Sequence, residues 1–164
     1  MIVHQVGVKF QRFSRFSTPS VTHAHIRSYQ EADENAVVAL WSTCGLIVPQ
    51  NDPRKDIARK VADSPELFLI AESGGRLIGS CMAGYEGHRG WINYLAVHPD
   101  FQRQGLATRL MSEAQQILIG LGCPKINLQI RRTNPTVRAF YESLGFTEDE
   151  VISMGIRLIN DSLP

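Results

Sequence analysis

One stretch limits the folds open to this chain more than any other: residues 91–120, WINYLAVHPDFQRQGLATRLMSEAQQILIG. It starts with an apolar run, residues 91–97, rich in bulky and β-branched side chains, which reads as a buried strand. His98-Pro99-Asp100 ends that strand, because proline has no N–H to give a central ladder. After Gln102-Arg103-Gln104-Gly105, apolar residues recur at Leu106, Leu110, Ala114, Ile117, Leu118 and Leu121, spacings that place them on one helical face. The order is therefore strand, glycine-bearing turn, helix. A helix start leaves about four N–H groups without intrahelical acceptors and carries the positive end of the dipole. Gly105 lets a ligand come close to that backbone, so the turn reads as an anion site suited to phosphate. It matches neither GxGxxG nor GxxxxGK[ST], and an ordinary loop entering an ordinary helix is the plain alternative.

The rest of the chain arranges itself around this unit. Residues 26–29 read as a first strand, and residues 32–43 as an amphipathic helix carrying Ala36, Val37, Leu40 and Trp41, stopped at Gly45. Asn51 or Asp52 caps a second helix with Pro53 in its first turn. Residues 67–71 and 77–85 are strands joined by a Ser73-Gly74-Gly75-Arg76 hairpin turn. The loop Glu86-Gly87-His88-Arg89-Gly90 leads into the organising strand. After the long helix come a strand over residues 126–130, a helix capped by Asn134 and opened by Pro135, and a closing strand over residues 151–158. Hairpins early and helical crossovers late predict a mixed α/β sheet with a parallel pair near its middle.

Composition narrows the class. With 164 residues the chain is one domain, large enough to bury a sizeable core. A formal net charge of +1 argues against a dedicated nucleic-acid surface. Three cysteines, Cys44, Cys81 and Cys123, show no CxxC spacing; they read as core residues of a reduced, cytoplasmic protein, with no metal site expected. No apolar run approaches the ~18 residues of a membrane span. Residues 1–23 stand apart as a basic tail without an acid, outside a domain at residues 24–164. The tail is similar in composition to a mitochondrial presequence or to an over-long start, and an unstructured extension is the favoured reading.

Two motifs carry a resemblance. Gln-x-x-Gly-x-Ala behind HPDFQRQG resembles the acyl-CoA pyrophosphate loop of the GNAT family of N-acetyltransferases. The block Asn134-Pro135-Thr136-Val137-Arg138-Ala139-Phe140-Tyr141-Glu142-Ser143-Leu144-Gly145-Phe146 resembles that family's later motif, N-x(6)-Y-E-x-x-G-F. The two lie in the family's order, and the resemblance covers roughly residues 24–160. PQNDPRKDI and the GYEGHRG loop further resemble the bacterial YpeA-type acetyltransferases. The resemblance implies a single-domain α/β fold with a mixed sheet of about six to seven strands, flanking helices and a splayed acyl-CoA cleft.

It also implies a chemistry. Acetyl transfer to an amine needs a held thioester, a neutral amine, stabilised charge on the carbonyl oxygen and a proton for the leaving thiolate. The amides of Arg103, Gln104, Gly105, Leu106, Ala107 and Thr108 face the pyrophosphate of acetyl-CoA in this reading. Leu95, Ala96 and Val97 align with the pantetheine arm, and a backbone N–H near Leu95 or Ala96 meets the carbonyl oxygen. Asn134 matches the residue that bonds the arm, although a helix cap explains it as well. Tyr141 matches the tyrosine near the thioester sulfur, a general acid with an ordinary pKa of about 10; a core tyrosine is its plain reading. The ribosomal-protein alanine acetyltransferases carry a glutamate five residues before the motif asparagine. Here Gln129 stands there, and an amide cannot take a proton. Glu86 and His88 are the nearest base candidates, against the simpler reading of a solvated loop.

The acceptor is an amine, on a small molecule or on a protein N-terminus or lysine, beside a wall holding Trp41, Val48, Asn51, Asp52, Arg54 and Asp56. No membrane or nucleic-acid partner is expected, and the enzyme is a monomer or homodimer. A non-catalytic acyl-CoA-binding module on the same fold is the rival reading. A nucleotide-binding protein is weaker still, since the loop lacks a phosphate-gripping lysine.

Overall fold

The computed structural model describes residues 20–161. Its sheet runs in the order β1 (His25–Ser28), β2 (Phe68–Ser73), β3 (Arg76–Tyr85), β4 (Gly90–Val97) and β5 (Ile126–Asn127). The first three pairings are antiparallel and β4–β5 is parallel. The helices are α1 (Glu34–Thr43), α2 (Pro53–Asp63), α3 (Leu106–Gly120) and α4 (Pro135–Ser143).

Apolar residues on both faces of the central strands make the sheet a filling between two layers. Phe68 and Ile70 of β2 join Val37, Leu40, Trp41 and Ile57 on the α1–α2 side. Leu69 and Ala71 join Leu106, Leu110, Met111, Ala114 and Leu118 on the α3 side, where Tyr141 of α4 also packs. The alternation is the period of two that a strand buried on both faces must show. Helix α3 lies close against the sheet because β3 offers it a glycine: a Cβ at Gly79 would stand 3.1 Å from Leu110 Cδ1 and 3.2 Å from the Ala96 carbonyl oxygen. Helix α2 starts as its sequence predicts, with the Asp52 carboxylate accepting from Arg54 N at 2.9 Å and Pro53 in the first turn.

Two expectations need correction. The sheet has five strands among the described residues rather than six to seven, and residues 151–158 form no strand. Their alternating apolar composition suits a strand, but a strand needs a ladder. The edge meant to receive them is short, since β5 ends at Asn127 instead of continuing through residue 130. Side chains tether the segment to the fold, Gln129 Nε2 donating to Ser153 Oγ at 2.5 Å and Arg157 reaching Gln50 and Asn51. Val151, Ile152, Met154, Ile156 and Leu158 therefore remain exposed. Val21, inside the stretch read as a tail, is buried and hydrogen-bonded to Gln104 and Arg109. The rest of that tail, residues 1–19, lies outside the described residues.

Candidate active site

The site is built where β4 and β5 part. They pair only at Gly90↔Ile126 and Trp91↔Asn127. From Ile92 onward β4 has no strand neighbour on that side among the described residues, although it continues to Val97. Asn127 closes the fork, and among the described residues its buried Oδ1 has no hydrogen-bond partner.

A bulge bends β4 just beyond the fork. Asn93 pairs with Met82 and Ala96 with Ser80, so Tyr94 and Leu95 together stand opposite the single residue Cys81. Such an insertion breaks the ladder and re-aims the strand. Tyr94 takes φ of +48°, a left-handed conformation that costs a non-glycine residue of the order of 1–3 kcal/mol. Its surroundings hold it there. The ring stacks on Trp41 at 3.9 Å between centroids, and its hydroxyl donates to Asp56 Oδ2 at 2.7 Å. The carbonyl accepts from Ser80 Oγ at 3.1 Å, and Ser80 Oγ accepts in turn from Trp41 Nε1 at 2.9 Å. Ser80 and Trp41 are fully buried. Burial, then the bond to Asp56, pushes the Tyr94 phenol up to about 12. In a trans peptide the C=O and the next N–H point opposite ways. Fixing the Tyr94 carbonyl toward Ser80 thus turns the Leu95 N–H away from it.

Two glutamine side chains tie the loop after β4 back to the fold. Gln102 Nε2 donates to the Val97 carbonyl at 2.9 Å, and Gln104 Oε1 accepts from Val21 N at 3.2 Å. Arg103 and Gly105 are both left-handed, with φ of +60° and +82°. Among the described residues no side chain caps α3, whose N-cap is Gly105. A Cβ at Gly105 would meet nothing within 4 Å, so open space lies before the first turn. An uncapped, open helix start is suited to an anion.

Asn134 Oδ1 accepts from Val137 N at 3.2 Å and so caps α4. One helical face further, Tyr141 is 8% exposed and lies edge-on to Phe140 and Phe146. Burial, and to a lesser degree the nearby Cys81, raise its phenol well above the ordinary range. Among the described residues its hydroxyl has no hydrogen-bond partner. Glu86 and His88 lie in the loop before Gly90, at the end of β4 away from the bulge. The Glu86 carboxylate accepts from His88 N and Arg89 N at 2.6 and 2.8 Å, bonds that hold its pKa below the usual range.

Of the acceptor wall, Asp52 is a cap and Arg54 is engaged by Glu34 and Asn35 on α1. Trp41 is buried beneath Tyr94, leaving Asn51 and Asp56 beside the Tyr94 hydroxyl. Sequence reading missed Tyr94, Ser80 and Gln102. The first two act through a bulge, which is a property of pairing. Gln102 was in view as part of a motif, without its inward bond.

The family model for the acetyltransferase (GNAT) family matches residues 22–146. An acetyltransferase of Yersinia enterocolitica is 47% identical over 136 residues, covering 83% of this chain and 96% of that protein. One of Pectobacterium atrosepticum shows the same identity and coverage. Among solved structures, the aminoglycoside N-acetyltransferase AAC(6')-Iy with a CoA-based bisubstrate analogue has a TM-score of 0.69 at 20% identity, covering 83% of this chain and 99% of that one. The ribosomal-protein-S18-alanine N-acetyltransferase of Escherichia coli has a TM-score of 0.66 at 24% identity, covering 77% and 79%. The fork, the bulge and the uncapped helix thus occur on a chain that belongs to the GNAT family of acetyltransferases.

Proposed function

We propose that the protein is an N-acetyltransferase that moves an acetyl group from acetyl-CoA to a primary amine by direct attack. The observation that carries this is the fork between β4 and β5, which opens toward the uncapped start of α3. When bound, acetyl-CoA supplies an activated acetyl group on a thioester sulfur. The residues present fit it: a free strand edge, two left-handed loop residues and open space before the helix.

Backbone N–H groups from Arg103 to Thr108 hold the pyrophosphate. Leu95, Ala96 and Val97 take the pantetheine arm along the open edge, as an added strand would lie. Asn134 bonds the arm through its amide nitrogen, which the cap leaves unused. The Leu95 N–H, aimed by the Ser80 bond, stabilises charge that builds on the carbonyl oxygen. Tyr141 stays protonated at neutral pH and gives its proton to the departing thiolate. Glu86 and His88 are base candidates; the two backbone bonds on Glu86 weaken it as a proton acceptor. An amine that arrives neutral needs neither. We place the protein in the cytoplasm, where free thiols such as Cys44, Cys81 and Cys123 stay reduced. Among the described residues no helix is long and apolar enough to cross a membrane.

The test is thiol release from acetyl-CoA with an amine panel, beside Tyr141→Phe. We expect amine-dependent turnover, with kcat falling about tenfold or more in the variant while acetyl-CoA KM holds. Tight acetyl-CoA binding without turnover of any amine would favour the non-catalytic acyl-CoA module.

A further inference from the structure

Residues 151–158 run without a helix, turn or bend, and among the described residues 152–158 make no backbone–backbone hydrogen bond. In an extended stretch of this kind successive side chains point to opposite sides. One side is tied to the fold: Ser153 Oγ accepts from Gln129 Nε2, and Arg157 donates to the Gln50 carbonyl and to Asn51 Oδ1. The other side carries Ile152, Met154, Ile156 and Leu158, which are 86–92% exposed. The segment therefore turns its apolar side outward, the reverse of a strand lying on a protein surface. Val151 and Ile159, at its two ends, are exposed as well. Each such side chain carries on the order of 100 Å² of apolar surface. Together they make a patch of roughly 500 Å², the size that marks an interaction site.

The order of residues in the patch says what covers it. Residues 151–159, VISMGIRLI, have the same polarity pattern read in either direction from Gly155: Val151 answers Ile159, Ile152 answers Leu158, Ser153 answers Arg157 and Met154 answers Ile156. A twofold contact between identical chains needs that property, because it sets residue i against j and j against i. With two copies laid antiparallel about an axis at Gly155, Ile152 meets Leu158 of the partner and Met154 meets Ile156 of the partner, each twice. Ser153 and Arg157 stay on the side already tied to their own fold, so the contact takes in no charged side chain. Two such patches bury about 1,000 Å², the lower bound for a specific interface.

We propose that residues 151–159 are a homodimer interface, in which the apolar rows of two copies pack on one another, antiparallel, about a twofold axis at Gly155. The occupant of the patch is a second copy of this chain. The inference stands apart from the acetyltransferase reading: it uses none of the residues placed in the cleft, and its readout is mass rather than turnover.

The test is sedimentation of the full chain over about a hundredfold range of protein concentration, since dimerisation follows mass action. We expect a species of twice the chain mass that dissociates on dilution. Met154→Glu should weaken it about a hundredfold, because each dimer then buries two unpaired carboxylates. The variant should still melt cooperatively, as Met154 is exposed within its own chain. Adding Ile156→Lys to Met154→Glu sets each glutamate against a lysine of the partner and should restore most of the affinity, whereas adding Ile156→Glu should not. A wild type that stays monomeric throughout overturns the proposal and leaves the patch to a different partner. A dimer that Met154→Glu leaves intact, or one that Ile156→Lys and Ile156→Glu affect alike, overturns it as well.

Discussion

Replacing Ser80 by alanine separates the fold from the chemistry. Ser80 is fully buried, and one hydroxyl serves two bonds, accepting from Trp41 Nε1 at 2.9 Å and donating to the Tyr94 carbonyl at 3.1 Å. The alanine variant leaves the buried indole N–H without a partner, which costs about 1–3 kcal/mol. It also frees the carbonyl that holds Tyr94 left-handed. A loss of about 2 kcal/mol lowers Tm by roughly 4–8 °C for a domain of this size. The catalytic effect is larger in proportion. If the peptide between Tyr94 and Leu95 relaxes, the Leu95 N–H turns off the carbonyl oxygen, and losing one such donor costs roughly 10²–10³ in kcat. Partial relaxation predicts a fall of about tenfold to a hundredfold. Acetyl-CoA KM should stay within about twofold, because the pyrophosphate is held at residues 103–108. Trp41→Phe is the control: it removes the indole donor but leaves Ser80 on the carbonyl, so stability falls while kcat holds within a few-fold. Both are measured by thiol release with the fastest amine of the panel and by thermal melts. A Ser80→Ala enzyme that melts early yet keeps its kcat would refute the orientation argument.

Alkaline pH should destabilise the fold. Burial raises the Cys81 thiol from an ordinary 9.0 to about 12 and the Tyr94 phenol from 10.0 to about 12. Between those limits the folded state holds protons that the unfolded state releases, so stability is full below about pH 9 and declines as pH rises. Thermal melts from pH 8 to 11, in about half-unit steps, should show that decline, and it should be shallower in Cys81→Ala. Asn127→Leu removes a buried acceptor that has no partner among the described residues. Stability should rise or hold, while a rise in acetyl-CoA KM in steady-state kinetics would place the amide of Asn127 in the cleft.

Much of this site was legible because it depends on local rules. The strand, turn and helix over residues 91–120 came from hydrophobic period and from proline and glycine, and β4 and α3 lie within a residue or so of the predicted bounds. The caps at Asp52 and Asn134 followed from residue type beside a following proline. What failed was set by pairing. Residues 151–158 have a strand's composition but no ladder, and nothing in their own sequence reveals that β5 stops at Asn127. The bulge at Tyr94 is invisible for the same reason: the run YLAV is apolar throughout and shows no extra residue until it is laid against Met82 and Ser80. Asp56 was noticed for its charge, yet its tie to Tyr94 joins residues 38 positions apart.

The central claim is that open backbone at the start of α3 holds the pyrophosphate of acetyl-CoA. Titration calorimetry of the protein with acetyl-CoA, beside Gly105→Glu, tests it most directly. Gly105 adopts φ of +82° with open space around it, so glutamate there meets no packing. It adds backbone strain of about 1–3 kcal/mol and a negative charge in front of the amides. The account predicts tight binding to the wild type and loss of binding in a variant that still melts cooperatively. Equal binding by the two proteins, or none by a folded wild type, would contradict it.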